Sequence, residues 1–205
     1  MDSLIEEITR LKKEYNAVIL AHYYVNEEVQ AIADYIGDSY YLSKIATKVE
    51  EDTILFCGVT FMGESAKILN PTKRVLVPDM SADCPMAHMV NVNKIKEMRE
   101  KYIDLAVVCY INSTAELKTY ADVCVTSSNA IEIVKALPNQ YIFFIPDENL
   151  GRYVASKVPE KNFIFNDGFC HVHTSISKEN VLKAMETKPK AKVLVHPECK
   201  LEILE

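Results

Sequence analysis

The stretch VILAHYYVNEEVQAIADYIGDSYYLSKIA, residues 18–46, decides the fold because it recurs as AVVCYINSTAELKTYADVCVTSSNAIEIV, residues 106–134. Both stretches pass from an apolar strand through a polar position and a helix containing an Ala-Asp pair to a second helix headed by serine. His22 and Tyr110, at equivalent positions, are 88 residues apart, and Cys84 and Cys170 are 86 apart. The spacing predicts an internal duplication with a period of about 86 residues.

The rest of the chain continues the same pattern, because short β-branched runs alternate with amphipathic stretches as in βα units around a parallel sheet. The expected strands cover residues 17–21, 53–57, 74–77, 105–109, 122–125, 141–145, 162–165 and 192–195, and the expected helices include 27–36, 39–49, 62–69 and 127–137. The last expected strand opens a third copy, since His196 follows Tyr110 by 86 residues.

We therefore predict an α/β protein, a pseudo-threefold repeat of three-layer αβα domains with small parallel sheets, its third domain largely absent from these residues. The expected domains are 1–103, including an N-terminal helix, 104–190, and 191–205 as the start of an incomplete third.

Composition narrows the function classes. The 205 residues carry a net charge of -6, spread along the chain, which disfavours nucleic acid as a partner because phosphate-backbone binding needs clustered Lys and Arg. No apolar run approaches the roughly 18 residues that cross a bilayer, and the charged start does not resemble a signal peptide. We expect a soluble, cytoplasmic protein without a membrane partner.

Polar residues follow the carboxyl ends of three expected strands, at the sheet edge where open α/β proteins bind ligands. They are His22 with Tyr24, Tyr110 with Asn112, and His196 with Glu198. Three clusters at equivalent repeat positions would converge on one point. Ser39 and Ser127 head expected helices, where they either cap the helix or offer hydroxyl and N–H groups to a phosphate or carboxylate.

The six cysteines separate by context. Cys57, Cys109 and Cys124 lie within apolar strands and are expected to be small buried residues. Cys84 and Cys170 lie in irregular loops at matched repeat positions, and a third cysteine would fall near position 256. Three thiolates at a pseudo-threefold axis suit a [4Fe-4S] cluster with one open iron, whereas tetrahedral zinc would take a fourth ligand or water.

Seven segments, in order and spacing, resemble the quinolinate synthase family along the whole chain. They are ILAHYY, VQAIADYIGDS, FCGVTFMGESAKILNP, VCYINSTAELKTYADVCVTSSNA, PDENLGRYVA, DGFCHVH and HPEC. The resemblance implies three αβα domains around a central site that condenses iminoaspartate with dihydroxyacetone phosphate to quinolinate in NAD biosynthesis. It also implies a [4Fe-4S] cluster held by one cysteine per domain, whose open iron acts as a Lewis acid.

The resemblance assigns roles to particular residues of this chain. The implied cluster ligands are Cys84 and Cys170. The implied substrate-binding residues are His22, Ser39, Tyr110, Ile111, Asn112, Ser127, His173, His196, Pro197 and Glu198. The hypothesis for catalysis gives acid–base roles to His196 and Glu198 and proton-donor or orienting roles to Tyr24 and Tyr110. The enzyme that makes iminoaspartate is a candidate functional partner.

Three explanations are open for the absence of a complete third repeat within these residues. The chain is a fragment of a longer product, which we favour, or a separate chain completes the site, or the sequence is inactive. A different class of function is a dicarboxylate- or phosphate-binding module that uses Ser39 and Ser127 without a cluster. A third possible function is that of a zinc-dependent hydrolase that uses Cys84, Cys170 and His173. Analysis of the iron, sulfide and zinc contents distinguishes the synthase, the binding module and the hydrolase.

Overall fold

The computed structural model describes residues 2–205, which divide into two compact units, one ending at Cys84 and the other running from Pro85 to Glu205. Each unit has a four-stranded parallel sheet flanked by helices, which confirms the predicted α/β class of repeated αβα layers. The domain boundaries expected after residues 103 and 190 stay predictions. No helix within residues 2–205 is long and apolar enough to cross a bilayer.

The elements follow the alternation expected from the apolar runs. The first unit contains α1 (Asp2–Glu14), β1 (Ala17–His22), α2 (Glu27–Ala31), β2 (Tyr35–Gly37), α3 (Ser39–Ala46), β3 (Thr53–Cys57), α4 (Thr60–Leu69) and β4 (Arg74–Leu76). The second unit contains a 3₁₀ turn (Pro85–His88), α5 (Val92–Lys101), β5 (Leu105–Tyr110), α6 (Ala115–Lys118), β6 (Val123–Val125), α7 (Ala130–Ala136), β7 (Tyr141–Ile145), α8 (Glu148–Lys157), β8 (Asn162–Phe165), α9 (His171–Thr174), α10 (Lys178–Thr187) and α11 (Leu201–Leu204).

The two sheets share one topology. Their strand orders are β2-β1-β3-β4 and β6-β5-β7-β8, with every pairing parallel. In each sheet the first strand of the unit lies in the interior and is almost wholly buried, as expected for strands covered on both faces. The shared order supports the duplication inferred from the sequence.

The Ala-Asp pair of each repeat has the same structural role. The Asp34 carboxylate accepts a hydrogen bond from the backbone N–H of Ile19 at 2.8 Å, and the Asp122 carboxylate accepts one from Val107 at 2.7 Å. The backbone N–H of each aspartate donates to the carbonyl of the same partner, at 2.9 Å. Each aspartate therefore extends the hydrogen-bond ladder beyond the short edge strand that follows it.

The prediction of a helix over residues 27–36 is wrong in its second half. The helix ends at Ala31, and Tyr35–Gly37 form β2 against the end of β1. The β-propensity of the aromatic and β-branched pair Tyr35 and Ile36, together with a free edge of β1, outweighs the local helical pattern.

The strand expected over 192–195 is also absent, because these residues find no neighbouring strand in the part of the chain that the structure describes. They have no regular secondary structure, and Leu194 is 94% exposed. A strand is stable only when its backbone groups pair with another strand, so the apolar pattern alone did not suffice.

Two of the three strand cysteines are buried as expected. Cys57 belongs to an apolar cluster with Ile19 and Ala21, and Cys109 packs with Val107 and neighbouring side chains of the second unit. Cys124 is exposed instead. It lies on β6, a short edge strand that has one face partly exposed to solvent.

Candidate functional site

The carboxyl ends of the central strands carry the expected polar residues. His22 is the last residue of β1 and Tyr110 is the last residue of β5, and both are buried. The equivalent positions of the repeat therefore lie at the carboxyl edge of each sheet, which is the edge where open α/β proteins bind ligands.

A group of ionisable side chains meets in the second unit around Glu198. The Glu198 residue is only 3% exposed. Its Oε2 lies 2.7 Å from His173 Nδ1 and 3.7 Å from His196 Nδ1. The two imidazoles stack with centroids 4.8 Å apart, and the Tyr110 hydroxyl contacts the carboxylate. The structure thus brings together four residues that the sequence separates by as many as 88 positions.

The charges of this group are strongly coupled. Contact with Cys170, and next with Glu198, raises the pKa of His173 to about 10, so the imidazolium dominates at neutral pH. Burial raises the pKa of Glu198, but His173, Tyr110 and His196 outweigh that effect and leave it below its ordinary value. Burial, and then the negative charge of Glu198, raise the pKa of Tyr110, which stays a neutral phenol.

His22 and His196 repeat one local geometry. In each, Nδ1 accepts the backbone N–H two residues later, that of Tyr24 or Glu198, at 3.3 Å. Burial lowers the pKa of both histidines, more than their neighbouring carboxylates raise it. A neutral imidazole whose Nδ1 accepts must carry its proton on Nε2, so each ring presents an Nε2–H donor.

Asp147 is a site residue that sequence reasoning missed. It is fully buried, and its carboxylate accepts from the backbone N–H of Leu150 at 2.7 Å and of Cys170 at 3.1 Å. Burial is the main reason that its pKa rises to about 7. The first contact caps α8, and the second holds the loop that carries Cys170. The sequence pattern that could have indicated Asp147 is an aspartate directly before a helix, in PDENLG, which is typical of a helix N-cap.

The neighbouring expected residues of the second unit are partly buried. The side-chain Oδ1 of Asn112 is buried without a hydrogen-bond partner among the described residues. Ser127 lies close enough to Tyr110 to lower its pKa, and Ile111 donates its backbone N–H to Val125. Pro197 lies between His196 and Glu198 and is half-buried.

Ser127 does not cap a helix, because α7 begins only at Ala130 with Asn129 before it. The Asn129 side chain instead accepts the backbone N–H of Thr126 at 2.7 Å. The serine hydroxyl is therefore not engaged with a helix N-terminus.

The expected residues of the first unit have separate surroundings. Ser39 is the first residue of α3, but Asp38 is the residue that caps this helix, through the N–H of Tyr41 at 2.7 Å. Tyr24 is 85% exposed and contacts the His22 ring edge-on, with centroids 4.6 Å apart. Cys84 is half-buried, and its backbone N–H donates to Asp83.

One set of side chains in the described part of the chain offers three different metal-binding atoms. Cys170, His173 and Glu198 place one sulfur, one nitrogen and one oxygen within 4.8 Å of one another. None of the cysteines that the structure describes forms a disulfide.

Comparison with known proteins identifies the family of this chain. Residues 6–205 match the family model described as "Quinolinate synthetase A protein". The chain is 60% identical over 199 residues to a quinolinate synthase of Fusobacterium nucleatum, a match that covers 97% of this chain and 67% of the relative. It is 51% identical over 205 residues to one of Caldicellulosiruptor saccharolyticus, covering 100% of this chain and 68% of that relative. The chain thus spans about two-thirds of the length of these relatives, and it belongs to the quinolinate synthase family.

Proposed function

We propose that this chain carries most of a quinolinate synthase active site, which condenses iminoaspartate with dihydroxyacetone phosphate and releases phosphate and water. The observation that carries the proposal is the buried group of Tyr110, His173, His196 and Glu198. Closing a pyridine ring requires several proton transfers and the loss of water, and this group contains both proton donors and a proton acceptor.

The charge states suggest the role of each member. Glu198 is ionised and accepts protons. His173, held as an imidazolium by Cys170 and Glu198, donates a proton or balances negative charge. Tyr110 is a neutral phenol against the carboxylate, placed to donate and to recover its proton through Glu198. Groups whose surroundings favour opposite protonation states are suited to paired acid and base steps.

Substrate carboxylates and phosphate require donors without a competing partner. His22 and His196 each supply an Nε2–H donor, because the Nδ1 atom of each ring already accepts a backbone N–H group. Asn112 adds an amide with an unpaired buried oxygen. The hydroxyls of Ser39 and Ser127 are proposed to complete the contacts, and Tyr24 to orient the substrate beside His22.

The thiols fit the cluster that the family resemblance implies. Cys84 and Cys170 form no disulfide, are half-buried and are located in loops after sheet strands, where a thiolate can reach a cofactor. They would supply two of the three expected thiolate ligands, and the third would come from beyond the 205 residues, near position 256. When bound, the cluster would supply an electrophilic iron that polarises a carbonyl or hydroxyl of the substrate.

The binding-module alternative is not favoured. A module that only bound a dicarboxylate would not need a carboxylate buried beside an imidazolium. Burying these charges has a desolvation cost, which binding alone does not require. The family membership of residues 6–205 points the same way.

The test is substitution of Glu198 in protein expressed from the whole open reading frame and reconstituted with iron and sulfide. Glu198→Gln keeps the side-chain shape and is expected to abolish quinolinate formation while iron and sulfide contents stay unchanged. The matched control is Glu202→Gln, an exposed glutamate in α11, which should retain full turnover. Near-normal turnover of the Glu198 variant would remove this residue from the mechanism. Iminoaspartate would be supplied by the enzyme that makes it, the proposed functional partner.

A further inference from the structure

We propose that the cluster-free protein binds one Zn²⁺ at Cys170, His173 and Glu198, and that this zinc and the iron–sulfur cluster exclude one another. The proposal goes beyond the synthase activity. It concerns a mononuclear site made within the second unit alone, without Cys84.

The three side chains have the spacing that a zinc site needs. Cys170 immediately precedes α9 and His173 lies in its first turn, so residues three apart project from the same side of the helix start. Their ligand atoms and a Glu198 oxygen all lie within 4.8 Å of one another. Tetrahedral zinc holds such atoms roughly 3.3–3.6 Å apart, given bonds of about 2.0–2.3 Å. Adjustments of about 1 Å would satisfy this geometry.

The second observation is that the buried carboxylate of Glu198 has one oxygen without a hydrogen-bond partner among the described residues. Glu198 is 3% exposed, and its Oε1 has no hydrogen-bond partner among residues 2–205. The other oxygen, Oε2, lies 2.7 Å from His173 Nδ1. Buried polar atoms are normally paired, so an unpaired oxygen on a carboxylate beside Cys170 and His173 supports a cation site there.

The donor set fits zinc in type and charge. A thiolate, an imidazole and a carboxylate are the three ligand types that zinc accepts, and three protein ligands leave a fourth position for water. A bound zinc would place its positive charge beside the Cys170 thiolate and the Glu198 carboxylate and so compensate both anions.

Neighbouring contacts would orient these ligands, as outer contacts do in established metal sites. Asp147 accepts the backbone N–H of Cys170, and the His196 ring stacks on that of His173 with an interplanar angle of 23°. Tyr110 contacts the Glu198 carboxylate. Each ligand therefore has a partner that restricts its movement.

Mutual exclusion follows from the shared thiolate. Cys170 is the proposed cluster ligand of this unit, and a sulfur bound to zinc at this site cannot at the same time hold a cluster iron in the proposed arrangement. Zinc would therefore occupy the protein before cluster insertion and would have to leave for the active enzyme to form.

The experiment uses protein expressed from the whole open reading frame, purified without oxygen and freed of iron and sulfide. Co²⁺ is added as a spectroscopic substitute for zinc, and Zn²⁺ affinity is measured by competition with a coloured chelator. We expect one equivalent of metal, a sulfur-to-cobalt charge-transfer band and tetrahedral visible bands. Cys170→Ser should remove the charge-transfer band and weaken zinc binding by about 100-fold or more, while Cys84→Ser and Cys199→Ser should leave both unchanged.

Glu198→Gln and His173→Gln should each weaken zinc binding at least about tenfold, with circular dichroism showing that the variants fold. Retention of the charge-transfer band in Cys170→Ser, or its loss in Cys84→Ser, would overturn the proposed ligand set. If wild-type protein showed no sulfur-to-cobalt band, no variant would be needed to reject the site.

Exclusion is tested separately by adding Zn²⁺ before iron and sulfide. Cluster formation should fall in proportion to bound zinc, and unaltered cluster formation would refute exclusion. The Cys84→Ser variant separates this proposal from the synthase proposal, because it should lose the cluster yet keep zinc. A protein that bound zinc but never formed a cluster would contradict the synthase proposal and leave the zinc site intact.

Discussion

Replacing Asp122 with alanine should destabilise the second unit by about 2–3 kcal/mol. The Asp122 carboxylate accepts the backbone N–H of Val107 at 2.7 Å, and it also pairs with Arg99 at 3.0 Å. Val107 lies in the buried central strand β5, where its amide would lose its side-chain acceptor.

Most of the expected loss of stability comes from the hydrogen bond between the Val107 N–H and the Asp122 carboxylate. A hydrogen bond to a charged group stabilises a protein by about 1.5–3 kcal/mol, and an orphaned buried donor costs a similar amount. The ion pair contributes at most about 1 kcal/mol, because its side chains are 39% and 43% exposed. The hydrogen bond to the strand should therefore account for most of the loss.

Urea unfolding followed by circular dichroism measures the effect. With a dependence of about 1–3 kcal/mol per molar urea, the midpoint should fall by about 1 M. The matched control is Arg99→Gln, which removes the ion pair and spares the strand contact, and it should cost less than about 1 kcal/mol. Equal shifts for the two variants would refute the reasoning. Asp34→Ala should reproduce the Asp122 effect in the first unit, since Asp34 accepts from Ile19 in the same way.

Three further predictions concern the ionisable groups of the second unit. Glu198→Gln should lower the pKa of His173 from about 10 without restoring its ordinary value, because the Cys170 contact remains; NMR titration of the imidazole measures this. The raised pKa of His173 means that the folded state holds a proton that the unfolded state has released. This stabilisation is complete below pH 6.5 and is lost as the pH rises towards about 10, and His173→Gln should flatten that part of the stability profile. Cys124, whose pKa is lowered to about 7 chiefly by its contact with Cys109 and is helped by Lys118, should react with iodoacetamide before Cys109 does; mass spectrometry that finds Cys109 labelled first would contradict this.

Much of the site position follows from local patterns. Apolar runs locate the central strands, and a parallel strand ends where its apolar run ends, so His22 and Tyr110 were placed at the ligand edge without coordinates. Cys84 and Cys170 were likewise placed in loops, since their surroundings lack any helical or strand period.

Other features depend on contacts between distant residues. The Asp147 contact with Cys170 spans 23 residues, and nothing in the pattern around either residue indicates it. The pairing of Tyr35–Gly37 with β1 overrode a helical pattern because an unpaired strand edge was available. The apolar run at 192–195 had no such edge in the described chain and did not become a strand.

The sequence by itself determined the α/β class, the duplication and the edge at which the polar residues collect, because these depend on the spacing of residue types along the chain. Only the tertiary structure decided that Glu198 is buried against His173, His196 and Tyr110 and that its charge couples to theirs. Coupling of this kind depends on distances of a few ångströms and on the exclusion of water, and both arise only when separate elements pack together.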